Sequence, residues 1–527
     1  MSQHKLGQQS SGLESLGLNK FESAWWNLPT ATLYEHALHN REAELTEAGA
    51  LLLRKGHAGN QLAQWYRVEH HSGDRSGGEQ YNLSETQFEA VFDRMRAYLV
   101  GRSVYVEDGL LAAQSAYEQP LRLITQSAWH ALFAKNMFMA PLVTDSVEGA
   151  EADAKLNDSA LTIIHLPYFC AVPERDGLHG GAFVLIHTDR RMALIGGSAH
   201  AGDIKNSVAA MMEYVLADSD VLPLHAASFV AEDGASALLL GPEGSGKTTL
   251  VADPERPFLA DDALGWSEQH VFNFEAGCYA RINHFDQQHD TPVYTASQSF
   301  GTALEHVELD MQTRQMCFDD RTGARAAFPL ASLAGDSAML GSAKHLVLLA
   351  CDGFGVLPAI SRLTADQVMY YFLLGYASAA VKNPESGLVE CTATFKPGCG
   401  MALMAHDASF YATALGAKIR MGKVQCWLLN TGWSGGPAGI GERMGIDLTR
   451  TLLNAALNGK LDGLSYQNHP VLGLRMPDQL DPMHTWHNQD DPNDYVSAAR
   501  ALAEKFKTAF APFAEQMSVD VLKAGPQ

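Results

Sequence analysis

A chain of 527 residues, 46% of them apolar, can bury large cores but exceeds the size at which one core keeps growing, so two lobes are expected. Lys and Arg number 38 against 60 Asp and Glu, a formal charge of -22, which argues against nucleic acid as a partner and makes any cation near an anion-binding loop informative. The polar start MSQHKLGQQSSG and the lack of any apolar run of bilayer length argue against a membrane partner and point to a cytoplasmic protein; seven cysteines without a C-x-x-C pair fit a reduced interior.

In chain order, residues 1 to about 90 carry helical patterning, as in TLYEHALHNREAELTEAGALLL, broken by the Gly-rich turn HSGDRSGGEQ. A helix is predicted in ETQFEAVFDRMRAYL, a strand in SVYVED, and a second helix in TQSAWHALFAKNMF with Thr125 as its cap. Strands follow at LTIIHL and GAFVLIHT, so residues 1–220 read as an α/β lobe. From 221 the pattern becomes strand, glycine turn and helix. ALLL, RPFLADD and LVLLACD read as strands of a covered sheet. DQVMYYFLLGYASAAV, DASFYATALGAKI, LTRTLLNAALNG and SAARALAEKFKTAFAPFAEQM read as helices, making residues 221–527 a nucleotide-binding lobe with a helical carboxyl end.

The most specific signal is Gly241-Pro242-Glu243-Gly244-Ser245-Gly246-Lys247-Thr248, a G-x-x-x-x-G-K-[ST] loop after a predicted strand. Glycines let successive amides turn inward around phosphate oxygens, the lysine brings a mobile charge to the terminal phosphates, and the threonine hydroxyl reaches a magnesium ion. Behind the loop, Asp261 and Asp262 end a strand. Consecutive strand side chains point to opposite faces, so one is expected to be a metal ligand and the other a structural or outer acceptor. On spacing alone, His200, Lys205, His225, Arg281 and Arg325 stand as isolated candidates.

Five ordered segments, ITQSAWHALFAKNMF, IGGSAHAGDIKN, GPEGSGKTTLVADPERPFLADDALGW, VFNFEAGCYARI and NTGWSGGPAGIGER, resemble the ATP-dependent phosphoenolpyruvate carboxykinases, over roughly residues 45 to 525. The resemblance implies an α/β, two-lobed architecture with a P-loop nucleotide-binding lobe, and ATP, Mg2+ and Mn2+ as cofactors. It implies that Gly241, Gly244, Ser245, Gly246, Lys247, Thr248 and Thr249 hold phosphates, with Arg443, Met444 and Thr449 around the base and ribose. It also implies Lys205, Lys247 and Arg325 as catalytic cations and His225, Asp262, Thr248 and Asn206 as metal-site residues, with Asn60, His200 and Arg281 on the substrate side.

Departures from the family pattern gather on that substrate side. The expected carboxylate-clamp arginine is Asn60, a metal-ligating lysine is Asn206, a tyrosine is His200, a lysine is Arg281, and the acidic residue and histidine after the paired aspartates are Ala263 and Leu264. Replacing Arg by Asn removes a charge and a bidentate fork. The leading expectation is therefore ATP-dependent phosphoryl transfer to an altered small-molecule acceptor. The alternatives are an ordinary phosphoenolpyruvate carboxykinase and a noncatalytic nucleotide-binding regulatory protein.

Overall fold

A computed structural model describes residues 12–56, 62–68, 81–112, 116–138, 160–216, 219–232, 234–252, 258–268, 270–283, 291–317, 323–334, 341–382, 389–401, 404, 406–487 and 492–526. The chain divides into two compact units, one of residues 1–215 with 273–336 and one of residues 216–272 with 337–527. This differs from a single cut near 220 because residues 273–336 return to the first unit. There Ala303–Glu305 pairs in parallel with Leu51–Leu53, and Arg325–Pro329 bridges it to Gly277–Arg281.

The first unit has an eight-stranded mixed sheet in the order Ser23–Trp26, Ser103–Leu111, Gln119–Thr125, Leu161–Leu166, Met192–Gly196, Phe183–His187, Gln64–Val68, Tyr81–Leu83. The helix Glu85–Leu99 starts on a Ser84 and Gln87 capping box. It buries Phe88, Val91, Phe92, Met95 and Leu99 against Val104, Ile124, Ile164 and Leu194. These residues recur at helical spacing, which is why the amphipathic pattern was readable. The helix Ala128–Phe138 is buried along its length except at Lys135 and packs on strands of both this sheet and the five-stranded sheet. Its cap is not Thr125, which ends a strand and bonds His165 through its hydroxyl at 2.9 Å; the Ser127 hydroxyl instead accepts from the His130 amide at 3.3 Å.

In the second unit, Ser236–Leu240, Ala343–Ala350 and Gln425–Asn430 run parallel at the centre of a ten-stranded sheet, flanked by antiparallel strands. Uniform apolar runs suit such strands because both faces are covered. Helices Ala365–Leu374, Ala408–Gly422 and Pro492–Phe510 contribute to the core on this sheet.

Two predicted helices give way to strands, and a third, over 497–517, ends as an α-helix at Phe510. Within 32–53, helix Thr30–His39 gives way to the hairpin Ala43–Leu45 and Leu51–Leu53. Within 366–381, the helix stops at Gly375 (φ 49), and Tyr376–Lys382 forms a hairpin with Val389–Phe395. A Cβ at Gly375 would lie 1.7 Å from the Lys396 carbonyl oxygen, so the chain crosses there only as glycine. The turn HSGDRSGGEQ lies outside the described residues. All seven cysteines are free thiols. No helix among the described residues is long and apolar enough to cross a membrane.

Candidate active site

In the second unit, the strand Ser236–Leu240 is buried throughout and delivers Gly241 at the carboxyl edge of the parallel strands, where α/β sheets bind ligands. Gly246 adopts φ 94, a left-handed conformation that turns the chain into the helix Lys247–Val251. Lys247 is buried, and its ammonium donates to the Gly241 carbonyl at 2.6 Å. Burial lowers its proton affinity, against the pull of Asp262 and Asp261. The buried Ser245 hydroxyl has no partner among the described residues, as suits a loop shaped around an anion. Its backbone is held from behind, the Thr431 hydroxyl donating to the Ser245 carbonyl at 2.9 Å.

The two aspartates take different partners. Thr248 donates its hydroxyl to Asp261 at 3.0 Å, while Asp262 Oδ1 lies 2.8 Å from His225 Nε2. The strand does not continue through the pair: Phe258–Ala260 and Ala263–Trp266 are separate, and Asp262 sits at φ 81. That left-handed residue replaces simple alternation as the reason the carboxylates diverge. His225 is on Leu222–Val230, opposite Ala263. A hydroxyl beside a carboxylate fits a magnesium–nucleotide, and an imidazole nitrogen beside a carboxylate oxygen fits a second divalent ion.

Nearby, the Met444 amide donates to Gly432 at 2.8 Å and the Arg443 guanidinium lies 5.6 Å from the Trp433 ring centre. Buried Thr449 bonds Gly445 within the helix Ile446–Leu457. Arg450 of that helix donates to the Thr249 carbonyl at 2.9 Å, fastening it to the phosphate loop. Neither Arg450 nor Thr431 stood among the expected site residues, although Thr431 lies in the segment NTGWSGGPAGIGER; bonds to backbone carbonyls mark neither side chain in the sequence.

In the first unit, Lys205 lies on the helix Ala201–Leu216 and is buried 3.2 Å from Glu275. The next residue, Asn206, is half-buried on the same helix and so belongs to the other unit from His225 and Asp262. Strand register sets Arg281 opposite Arg325, and Arg325 opposite Glu305, so three charged residues form a row on one sheet face. The Arg325 guanidinium lies 5.0 Å from the Tyr279 ring centre. His200 Nδ1 stands 2.9 Å from buried Glu305. Burial works against the His200 charge, yet Glu305 and Asp203 raise its basicity. Burial likewise opposes the Glu305 carboxylate, but His200, His306 and the Ala201 amide hold it below the ordinary range.

The structure thus gathers His200, Arg281 and Arg325 in one unit and His225, Lys247, Thr248 and Asp262 in the other. Asn60 lies outside the described residues. Glu305 and His306 were missed: they adjoin as LEHV where the short strand Ala303–Glu305 ends, far from any motif, and only sheet register brings Glu305 beside Arg325.

A phosphate loop closing a parallel strand edge, with a carboxylate beside its threonine and an imidazole–carboxylate pair alongside, defines a P-loop phosphotransferase. A family model described as phosphoenolpyruvate carboxykinase matches residues 22–485. The "Phosphoenolpyruvate carboxykinase (ATP)" of Pelobacter propionicus is 35% identical over 98% of both chains. That of Thermus thermophilus is 37% identical over 98% of this chain and 99% of its own, and that of Afipia carboxidovorans 38% over 100% and 99%. The chain therefore belongs to the ATP-dependent phosphoenolpyruvate carboxykinase family, as an α/β phosphotransfer enzyme.

Proposed function

We propose that the chain catalyses the family reaction, converting oxaloacetate and ATP to phosphoenolpyruvate, carbon dioxide and ADP. End-to-end likeness to relatives of that name favours this ordinary carboxykinase over an altered acceptor or a noncatalytic binder. The observation that carries it is the separation of the paired aspartates, Asp261 to Thr248 and Asp262 to His225, which provides one carboxylate for each of two divalent ions.

Loss of carbon dioxide breaks a carbon–carbon bond and leaves an enolate oxygen. That oxygen bonds the terminal phosphorus as the bond to the ADP oxygen breaks. Such transfer needs positioning and cationic stabilisation more than covalent help. Bound divalent ions would neutralise phosphate and enolate charge. Lys247 would exchange its Gly241 carbonyl for a phosphate oxygen, and Lys205 and Arg325 would offset the charge of the transferring group. Arg443, Met444 and Thr449 would border the base and ribose, and Arg281 would serve the substrate side.

A second reading, transfer to a different acceptor, keeps the support of the departures from the family pattern, with Asn60, His200, Asn206 and Arg281 in place of an arginine, a tyrosine and two lysines. The deciding experiment is phosphoenolpyruvate formation from oxaloacetate with Mg2+-ATP and Mn2+. Turnover of about 1–10³ per second is expected of the ordinary enzyme. ATP consumption only with other carboxylate or hydroxyl acceptors would establish the second reading.

A further inference from the structure

The substitution that puts histidine at 200 is accompanied by a second imidazole. His306 follows Glu305 and places Nε2 4.0 Å from the same Glu305 Oε1 that His200 Nδ1 approaches at 2.9 Å. One ligand atom from each of His200, Glu305 and His306 can be chosen so that all lie within 4.8 Å of one another. In tetrahedral coordination at about 2.0–2.2 Å two donors stand roughly 3.3–3.6 Å apart, so binding would draw His306, whose side chain is 47% exposed, toward Glu305.

We propose that His200, Glu305 and His306 form a divalent-metal site in the first unit, built from donors other than His225 and Asp262, that takes a borderline d-block ion of the zinc type and leaves an open position for a small oxyanion. Three features support the site. Its donors are two imidazole nitrogens and one carboxylate, a set that binds such ions with a coordination position to spare. The carboxylate is oriented by others: the Ala201 amide donates to its second oxygen at 3.1 Å and the Tyr279 hydroxyl donates to the first, the kind of outer bonding that fixes metal ligands. Finally, His306 sits at φ 57, a left-handed conformation uncommon for a residue with a Cβ and of the kind that collects at functional positions.

The open position would face the Arg325 side, since Arg325 stands opposite Glu305 in the sheet. An ion there would add positive charge next to that guanidinium and favour a carboxylate or phosphate as the exchangeable ligand. The site stands whatever reaction the enzyme performs, because it is tested by metal binding. The opposing reading is a plain His200–Glu305 ion pair with His306 a bystander.

The test uses the full chain carrying His225→Asn and Asp262→Asn, so that the other donor pair is removed. Zn2+ alone is titrated by calorimetry, and the bound ion is examined by X-ray absorption. The expected result is one saturable Zn2+ of micromolar or tighter affinity with two imidazoles and no sulfur in its shell. His306→Asn, which tolerates the left-handed backbone, and separately His200→Asn should each weaken it at least tenfold. Absence of saturable Zn2+, a sulfur shell, or a weakening below tenfold in both variants overturns the proposal; circular dichroism confirms that each variant is folded.

Discussion

The Thr248 hydroxyl donates to Asp261, not to the adjacent Asp262, at 3.0 Å. Because Asp262 is committed to His225, the two carboxylates should fail differently when neutralised. Asp261→Asn is expected to weaken Mg2+-ATP about tenfold or more while leaving Mn2+ binding within threefold, on the scale of one charge-assisted hydrogen bond. Asp262→Asn and His225→Ala should do the reverse. Calorimetry with Mg2+-ATP and spin resonance with Mn2+ separate the two, and equal effects of both aspartate variants on both ligands would refute the division.

Lys247→Ala removes the cation that the loop stores against its own carbonyls. Triphosphate affinity should fall by roughly 10- to 100-fold, the equivalent of about 1.5–3 kcal/mol for a charged hydrogen bond. Unchanged Mg2+-ATP binding in the folded variant would show that the lysine serves only the transferring group, and a rate measurement would then carry the loss.

The substrate side makes a third prediction. Asn60→Arg restores the charge that holds a carboxylate in the family pattern, so kcat/KM for oxaloacetate should rise about tenfold or more if Arg325 and Lys205 already define the orientation. Asn206→Lys should shift preference toward Mn2+ over Mg2+ through an added nitrogen donor. Steady-state rates in each metal check both; an unchanged Asn60→Arg would place Asn60 outside the substrate side, and an unchanged metal preference in Asn206→Lys would place Asn206 outside the metal site.

Acid stability turns on His469. Its Nδ1 accepts the amides of Val471 and Leu472 at 3.2 and 3.0 Å, so the proton is on Nε2, 2.6 Å from the Tyr495 hydroxyl, which donates to Val356 at 2.9 Å. Burial pushes the imidazole from 6.5 down to about 4, against the pull of Asp481. Between these values the unfolded chain binds the extra proton, so stability should fall as pH drops through 6.5 toward 4, by about 2–3 kcal/mol. Urea unfolding of wild type and His469→Asn across that range tests it: the variant should be weaker at pH 7 and lose less on acidification.

What the sequence made legible was local. The strand before Gly241, the loop glycines, Lys247 and Thr248 are contiguous, and each is dictated by a short-range requirement. The helix predicted in ETQFEAVFDRMRAYL matches Glu85–Leu99 because its apolar residues recur at helical spacing, while its Ser84 capping box went unread. The run 366–381 misled because YASAAV continues a mainly apolar stretch without a proline or charge; the left-handed turn at Gly375 divides helix from strand. The row of Arg281, Arg325 and Glu305 was hidden because it exists only through pairing across three strands. Asp261 and Asp262 were read as carboxylates that diverge, and they do take different partners, Thr248 and His225, though φ 81 at Asp262 and not strand alternation separates them.

The return of residues 273–336 to the first unit also bears on biosynthesis. Leu51–Leu53 leaves the ribosome early but must wait for Ala303–Glu305 before that side of its sheet is paired. At about 5–20 residues per second this interval lasts on the order of tens of seconds, during which an apolar strand edge is open to other nascent chains. Slow synthesis should therefore be more hazardous for this chain than for one whose units follow each other in sequence, and a chaperone that shields the early segment would act on Leu51–Leu53.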